Sequence, residues 1–215
     1  WRGFTNKAIK DVVHIGIGGS HLGPELVVSA LAHLPGSENA PNIHFVANID
    51  AHDINTALRG LNPETTLFVV VSKSFGTLET QINAATARSW FLERTCNPKA
   101  IGQHFIGVTT NMEAAAQFGL EARNIFPLWD WIGGRFSLWS AVGLTIMLQI
   151  GTTAFEQLLV GAKQADEHFL NAPAEQNIPL LSALIATWNT TALNCDSLAV
   201  LSYDQRLALL PDFLQ

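Results

Sequence analysis

The clearest signal along the chain is Leu67-Phe68-Val69-Val70-Val71, an unbroken apolar run that ends in Ser72. It reads as a parallel strand covered on both faces, because a half-exposed strand would alternate apolar and polar positions. Six residues follow, Ser72-Lys73-Ser74-Phe75-Gly76-Thr77, and then a helical pattern runs from Thr77 to residue 93. Its apolar positions are Leu78, Ile82, Ala85, Ser89 and Leu92, which predicts that this face packs inward.

The same strand-to-helix alternation recurs on either side. Residues 11–17 read as a first strand that enters Gly16-Ile17-Gly18-Gly19-Ser20-His21-Leu22-Gly23-Pro24, with a helix over 24–33. Residues 43–49 form a second strand, followed by a short helix to Leu58 that Asp53 is expected to cap. The strand at 67–72 is the third. Residues 105–109 make the fourth, with Asn111 capping the next helix, and 125–128 make a short fifth. Strands separated by helical segments imply right-handed crossovers and an α/β fold, an open parallel sheet flanked by helices in three layers. In such sheets ligands bind outside the carboxyl ends of the strands. If the first and third strands are neighbours, the loops at Gly18–Ser20 and Ser72–Thr77 line one crevice.

Beyond residue 128 the pattern changes. A tryptophan-rich turn, Trp129-Asp130-Trp131-Ile132-Gly133-Gly134-Arg135, precedes three helices over 137–150, 153–170 and 179–190. Residues 197–202 read as a strand, and Asp204 opens a last helix. No linker composition interrupts the chain, so residues 1–215 are read as one domain with extra helices toward the C-terminus. Both ends read as cut from a longer protein.

Composition narrows the function classes. With 48% hydrophobic and 14% charged residues the chain can fill a core. A net charge of −6 without a basic cluster argues against nucleic acid. The apolar stretch 138–150 is too short and too interrupted to cross a membrane. Cys96 and Cys195 lack metal or redox spacing, so a reduced, cytoplasmic protein is expected. The seven histidines are scattered and read as structural, and no metal site or cofactor is implied.

The candidate chemistry lies in three stretches. Ser72, Ser74 and Thr77 set three hydroxyls and Lys73 around a helix N-terminus, where free N–H groups and the helix dipole favour an anion. The plainer alternative is that Thr77 only caps its helix. The glycine loop at 16–24 fits neither a dinucleotide fingerprint, which needs glycine at His21, nor a P-loop, which needs lysine after Gly23. Arg135, after two glycines, either stabilises developing negative charge in a cleft or pairs with Asp130 and packs on a tryptophan.

Three motifs, residues 14–24, 71–80 and 130–140, together with Leu201-Ser202-Tyr203-Asp204-Gln205-Arg206, resemble the glucose-6-phosphate isomerase family in order and spacing. The resemblance implies the family's first sugar isomerase (SIS) domain, with a flavodoxin-like sheet. It implies that Ser72, Lys73, Ser74, Phe75, Gly76 and Thr77 hold a sugar phosphate, that Gly19 and Ser20 lie against the substrate, and that Arg135 stabilises an enediolate. Glucose 6-phosphate and fructose 6-phosphate are the implied substrates, in a homodimer when full length. Ser74, Gly76, Phe136 and His21 depart from the family's usual residues, and backbone N–H groups at Gly76 are expected to replace a lost hydroxyl. The family's glutamate base, ring-opening histidine and terminal lysine are expected beyond Gln215. A non-catalytic sugar-phosphate sensor, or the isomerase domain of an aminosugar synthase, are the alternatives.

Overall fold

The computed structural model describes residues 1–34 and 39–215. Five parallel strands form one sheet: β1 (Asp11–Ile15), β2 (Asn42–Val46), β3 (Thr66–Val71), β4 (Phe105–Thr109) and β5 (Ile125–Pro127). Their order is β2-β1-β3-β4-β5, the flavodoxin-like arrangement, so the β1 and β3 neighbourhood is where the connection reverses direction. The register pairs His14 with Phe45 on one side and with Val69 on the other.

Every residue of β3 is buried, as its apolar run requires. On one face Val13, Ile15, Phe68 and Val70 meet α2 (Ala51–Leu58), α3 (Leu78–Thr95), α4 (Ile101–His104) and α5 (Met112–Phe118) through Ile54, Phe91, Ile101 and Ala115. Phe68 stacks on Phe105 at 4.5 Å between centroids, and Phe91 meets both rings edge-on. On the other face Val12, Val69, Val71 and Val108 pack on Val142 and Leu144. There α1 (Leu22–Leu31), α6 (Leu144–Ile150) and α7 (Thr152–Asn171) share a further cluster built on Ile146 and Phe155. The chain closes with α8 (Ile178–Ala192) and α9 (Leu210–Leu214).

Four expectations need correction. The inward face of α3 is Thr80, Asn83, Ala84, Ala87, Trp90 and Phe91, while Leu78 is 61% exposed and Ile82 is exposed too. Small alanines let this helix approach the sheet closely, and the Trp90–Phe91 pair supplies the bulk; counting large aliphatics pointed to the wrong side. Asp50, not Asp53, caps α2 by accepting the His52 N–H. Asp53 instead accepts the Ala47 and Asn48 N–H groups and ties down the loop before the helix. The helix expected over 137–150 is broken into short 3-10 turns and the seven residues of α6. At Gly143, where α6 is entered, a Cβ would collide with the Leu138 carbonyl and the Phe155 ring. Residues 197–202 form no strand, because among the described residues no strand lies beside them to complete a ladder.

Candidate functional site

The carboxyl ends of β1, β3, β4 and β5 all deliver loops to one edge of the sheet, and these loops enclose a cavity of about 410 Å³. Six of the residues singled out in the sequence line it: Gly19, Ser20, Ser72, Lys73, Ser74 and Thr77. The adjacency of β1 and β3, which the strand pattern left open, brings them together.

The loop after β3 is held by its own chemistry. The Phe75 N–H donates to the Ser72 carbonyl, and Phe75 takes a left-handed φ of 52°. That turn drives the Phe75 side chain into the core, against Phe118 at 5.8 Å, rather than into the cavity. Ser74 Oγ accepts the Gly76 N–H at 3.1 Å, so that amide is already engaged and does not stand in for a missing hydroxyl. Thr77 occupies the N-cap position of α3, yet its side chain accepts none of the helix N–H groups. Its hydroxyl receives the Ser72 hydroxyl at 3.4 Å and keeps its own proton to donate. The simple capping alternative is therefore not what the geometry shows. The first-turn donors of α3 lack a side-chain cap and stand beside the Ser74 and Thr77 hydroxyls.

Lys73 has a different part. Its ammonium donates to the carbonyls of Asp130 and Ile132 at 2.7 and 2.8 Å, latching the β3 loop to the tryptophan turn. One of its three N–H groups stays uncommitted. The Lys73 carbonyl in turn receives the Thr110 N–H and both the Thr109 and Thr110 hydroxyls. The tryptophan turn also meets the glycine loop: a Cβ on Gly19 would collide with the Gly134 carbonyl, so only glycine permits the two main chains to touch.

Arg135 follows directly. Gly133, Gly134 and Ser137 line the cavity but the Arg135 side chain does not. Its Nε is buried without a partner, and among the described residues it makes neither the ion pair with Asp130 nor a stack on a tryptophan.

Three polar lining residues escaped the sequence reading: Thr80, Thr110 and Ser137. Thr80 lies one helical turn beyond Thr77, and its buried hydroxyl has no partner in the structure. Thr110 follows directly on β4, where the rule about strand carboxyl ends already pointed. Behind the glycine loop lies His14, fully buried, with one ring nitrogen on the Ser20 carbonyl and the other on the Thr145 hydroxyl. Burial pushes its pKa down to about 4, so it is neutral at physiological pH. Among the described residues no carboxylate lines the cavity, which suits an anionic ligand despite the acidic chain. Among the described residues no cluster of side chains could hold a metal ion, and no helix is long and apolar enough to cross a membrane.

The family model described as Phosphoglucose isomerase matches residues 1–215. Glucose-6-phosphate isomerases from Pseudoalteromonas translucida and Methylococcus capsulatus are 52% and 54% identical over all 215 residues, and the chain covers 39% of each. A crystal structure of a glucose-6-phosphate isomerase from Chlamydia trachomatis superimposes with a TM-score of 0.85 at 36% identity, covering 96% of this chain and 39% of that one. The chain thus spans about two-fifths of the length of the relatives it matches.

Proposed function

Because this chain belongs to the phosphoglucose isomerase family, we propose that it is the phosphate-holding part of an aldose–ketose isomerase acting on glucose 6-phosphate and fructose 6-phosphate. The observation that carries this reading is the convergence of Ser20, Ser72, Ser74 and Thr77 on one cavity beside the N-terminus of α3, which has no side-chain cap. Hydroxyl donors and helix N–H groups together match the three oxygens of a phosphate monoester.

The reaction moves a proton between neighbouring carbons through an enediolate, and that needs a positioned base. Among the described residues Lys73 is the one titratable side chain lining the cavity, and its ammonium is occupied by two carbonyls. The base is therefore assigned to the part of the full-length protein outside these residues, and the chain alone binds without turning over. Arg135 is assigned to the enediolate: its Nε has no partner here, and it sits at the junction of the glycine loop and the tryptophan turn. Once the remaining wall is present, its charge would face the reacting carbons. The full-length protein is read as cytoplasmic and as a homodimer, and the apolar side chains that α8 leaves uncovered support the second of these readings.

The test compares full-length protein with its Thr77→Ala and Arg135→Ala variants in a coupled assay for fructose 6-phosphate conversion. Thr77→Ala should weaken sugar-phosphate affinity by about 1–3 kcal/mol. Arg135→Ala should lower kcat by about 100-fold or more with a smaller change in affinity. Unchanged affinity in the first variant removes the phosphate assignment. Equal losses of rate and affinity in the second make Arg135 an ordinary binding residue.

A further inference from the structure

The glycine loop carries three of the cavity's residues, Ile17, Gly19 and Ser20, but few of its own atoms hold it in place. It leaves β1 at Ile15 and winds through a single 3-10 turn over Gly18–Ser20, a turn with no side-chain cap. What fixes its far end is the His14 side chain. The Ser20 carbonyl lies 2.6 Å from His14 Nε2, and a carbonyl only accepts, so Nε2 carries the proton. The other nitrogen, Nδ1, must then accept, and it takes the Thr145 hydroxyl of α6 at 2.8 Å. Both nitrogens are spent and the ring is fully buried, so His14 has no route to exchange a proton with a ligand. It acts on the cavity through Ser20.

We propose that His14 is a positioning residue: it suspends the Gly18–Ser20 loop between the sheet and α6, and so sets the loop's place in the cavity wall. The proposal rests on the reading that this cavity binds a sugar phosphate. The groups facing the imidazole are few. His21, at the end of the same loop, lies beside it, and its Nε2 is 3.1 Å from Glu25 of α1. From β2 only the Phe45 ring approaches, 5.0 Å from His14 and 5.6 Å from His21. From α6 comes the uncharged Thr145. Burial, the largest influence, and His21 disfavour a charged His14, and together they outweigh the Ser20 carbonyl and the Glu25 carboxylate, which favour it. Protonating His14 thus means bringing a charge into the apolar space under the loop, which displaces the loop or admits water beneath it.

Three substitutions separate this role from mere filling of space. His14→Gln offers an amide donor and acceptor in place of the two nitrogens. His14→Leu keeps bulk and removes both. Thr145→Val removes only the donor on the α6 side. Affinity for fructose 6-phosphate should fall about fivefold to twentyfold in His14→Leu and be largely restored in His14→Gln. Inorganic sulfate keeps its charge where phosphate esters change theirs, so it serves for the pH series. Wild-type affinity for sulfate should drop more steeply than that of His14→Gln between about pH 6 and pH 4. The amide resonances of Gly18, Gly19 and Ser20 are followed over the same range, without ligand. They should titrate together in the wild type and stay still in His14→Gln.

If His14→Leu does not fold, the Gln and Val variants carry the test. Thr145→Val should then weaken binding less than twofold to fivefold while leaving the loop resonances pH-dependent. Loop resonances that respond to pH identically in wild type and His14→Gln overturn the proposal. So does a folded His14→Leu with wild-type affinity. If no variant, wild type included, binds either anion, the sugar-phosphate reading fails. The positioning claim is then decided by the ligand-free resonances alone.

Discussion

β3 and α8 are both rich in apolar residues and have opposite fates. All six residues of β3 are buried, whereas none of the fifteen residues of α8 is. Ile178, Leu184, Ile185 and Trp188 stay more than half exposed. β3 lies between β1 and β4 with helices over both faces, so each side chain finds neighbours whichever way it points. α8 is tethered mainly at its start, where the Asn177 side chain caps the helix and donates to the Phe169 carbonyl, and the Ile178 N–H reaches His168. Beyond that, its side-chain hydrogen bonds are threonines returning to their own helix. Apolar character states what a segment could bury; the neighbours decide whether it does.

The contrast can be broken by deletion. Phe68→Ala removes a ring at the centre of the sheet and should cost about 3–5 kcal/mol in chemical denaturation. A smaller loss would mean the aromatic cluster relaxes around the gap. A milder probe is pH, which reaches the buried half without mutation. His14 falls from the usual histidine value to about 4 in the folded chain because it is buried. The unfolded chain therefore binds a proton that the native chain refuses, so the contribution is complete above about pH 6.5 and disappears as pH falls toward 4. The loss amounts to roughly 3 kcal/mol. His104, also lowered by burial, adds in the same direction. Between about pH 6.5 and pH 4 the wild-type denaturation midpoint should fall further than that of His14→Gln, because glutamine does not titrate. At the small end, Trp188→Ala on α8, made in the 215-residue chain by itself, should change stability by less than about 0.5 kcal/mol, since so exposed a ring has little to lose. A large effect there would show that α8 is packed in solution and would erase the contrast.

What could be read from the sequence follows the same division. Val69-Val70-Val71 announced a doubly covered strand, and strand order then placed Ser20 beside Ser72 and Thr77. The rule that ligands gather at strand carboxyl ends is topological, and so survives errors in detail. Helix faces did not survive, because the depth of α3 is set by Ala84 and Ala87 against the sheet rather than by its largest aliphatics. Side-chain partners across the chain were also illegible. Nothing near His14 in sequence names Thr145, and nothing near Lys73 names the Asp130 carbonyl. Residues 197–202 had strand composition without a strand to join, which is a fact about their surroundings.

The touch between Gly19 and Gly134 has a consequence for how this protein can vary. Most tight contacts are negotiable, because a larger residue on one side can be matched by a smaller one opposite. Here the opposing atoms are the Gly134 carbonyl and α-carbon, which every amino acid carries. No second substitution at 134 can make room for a first at 19. The site is therefore a dead end for compensatory change, and a lineage that loses the glycine at position 19 regains the original spacing only by reversion.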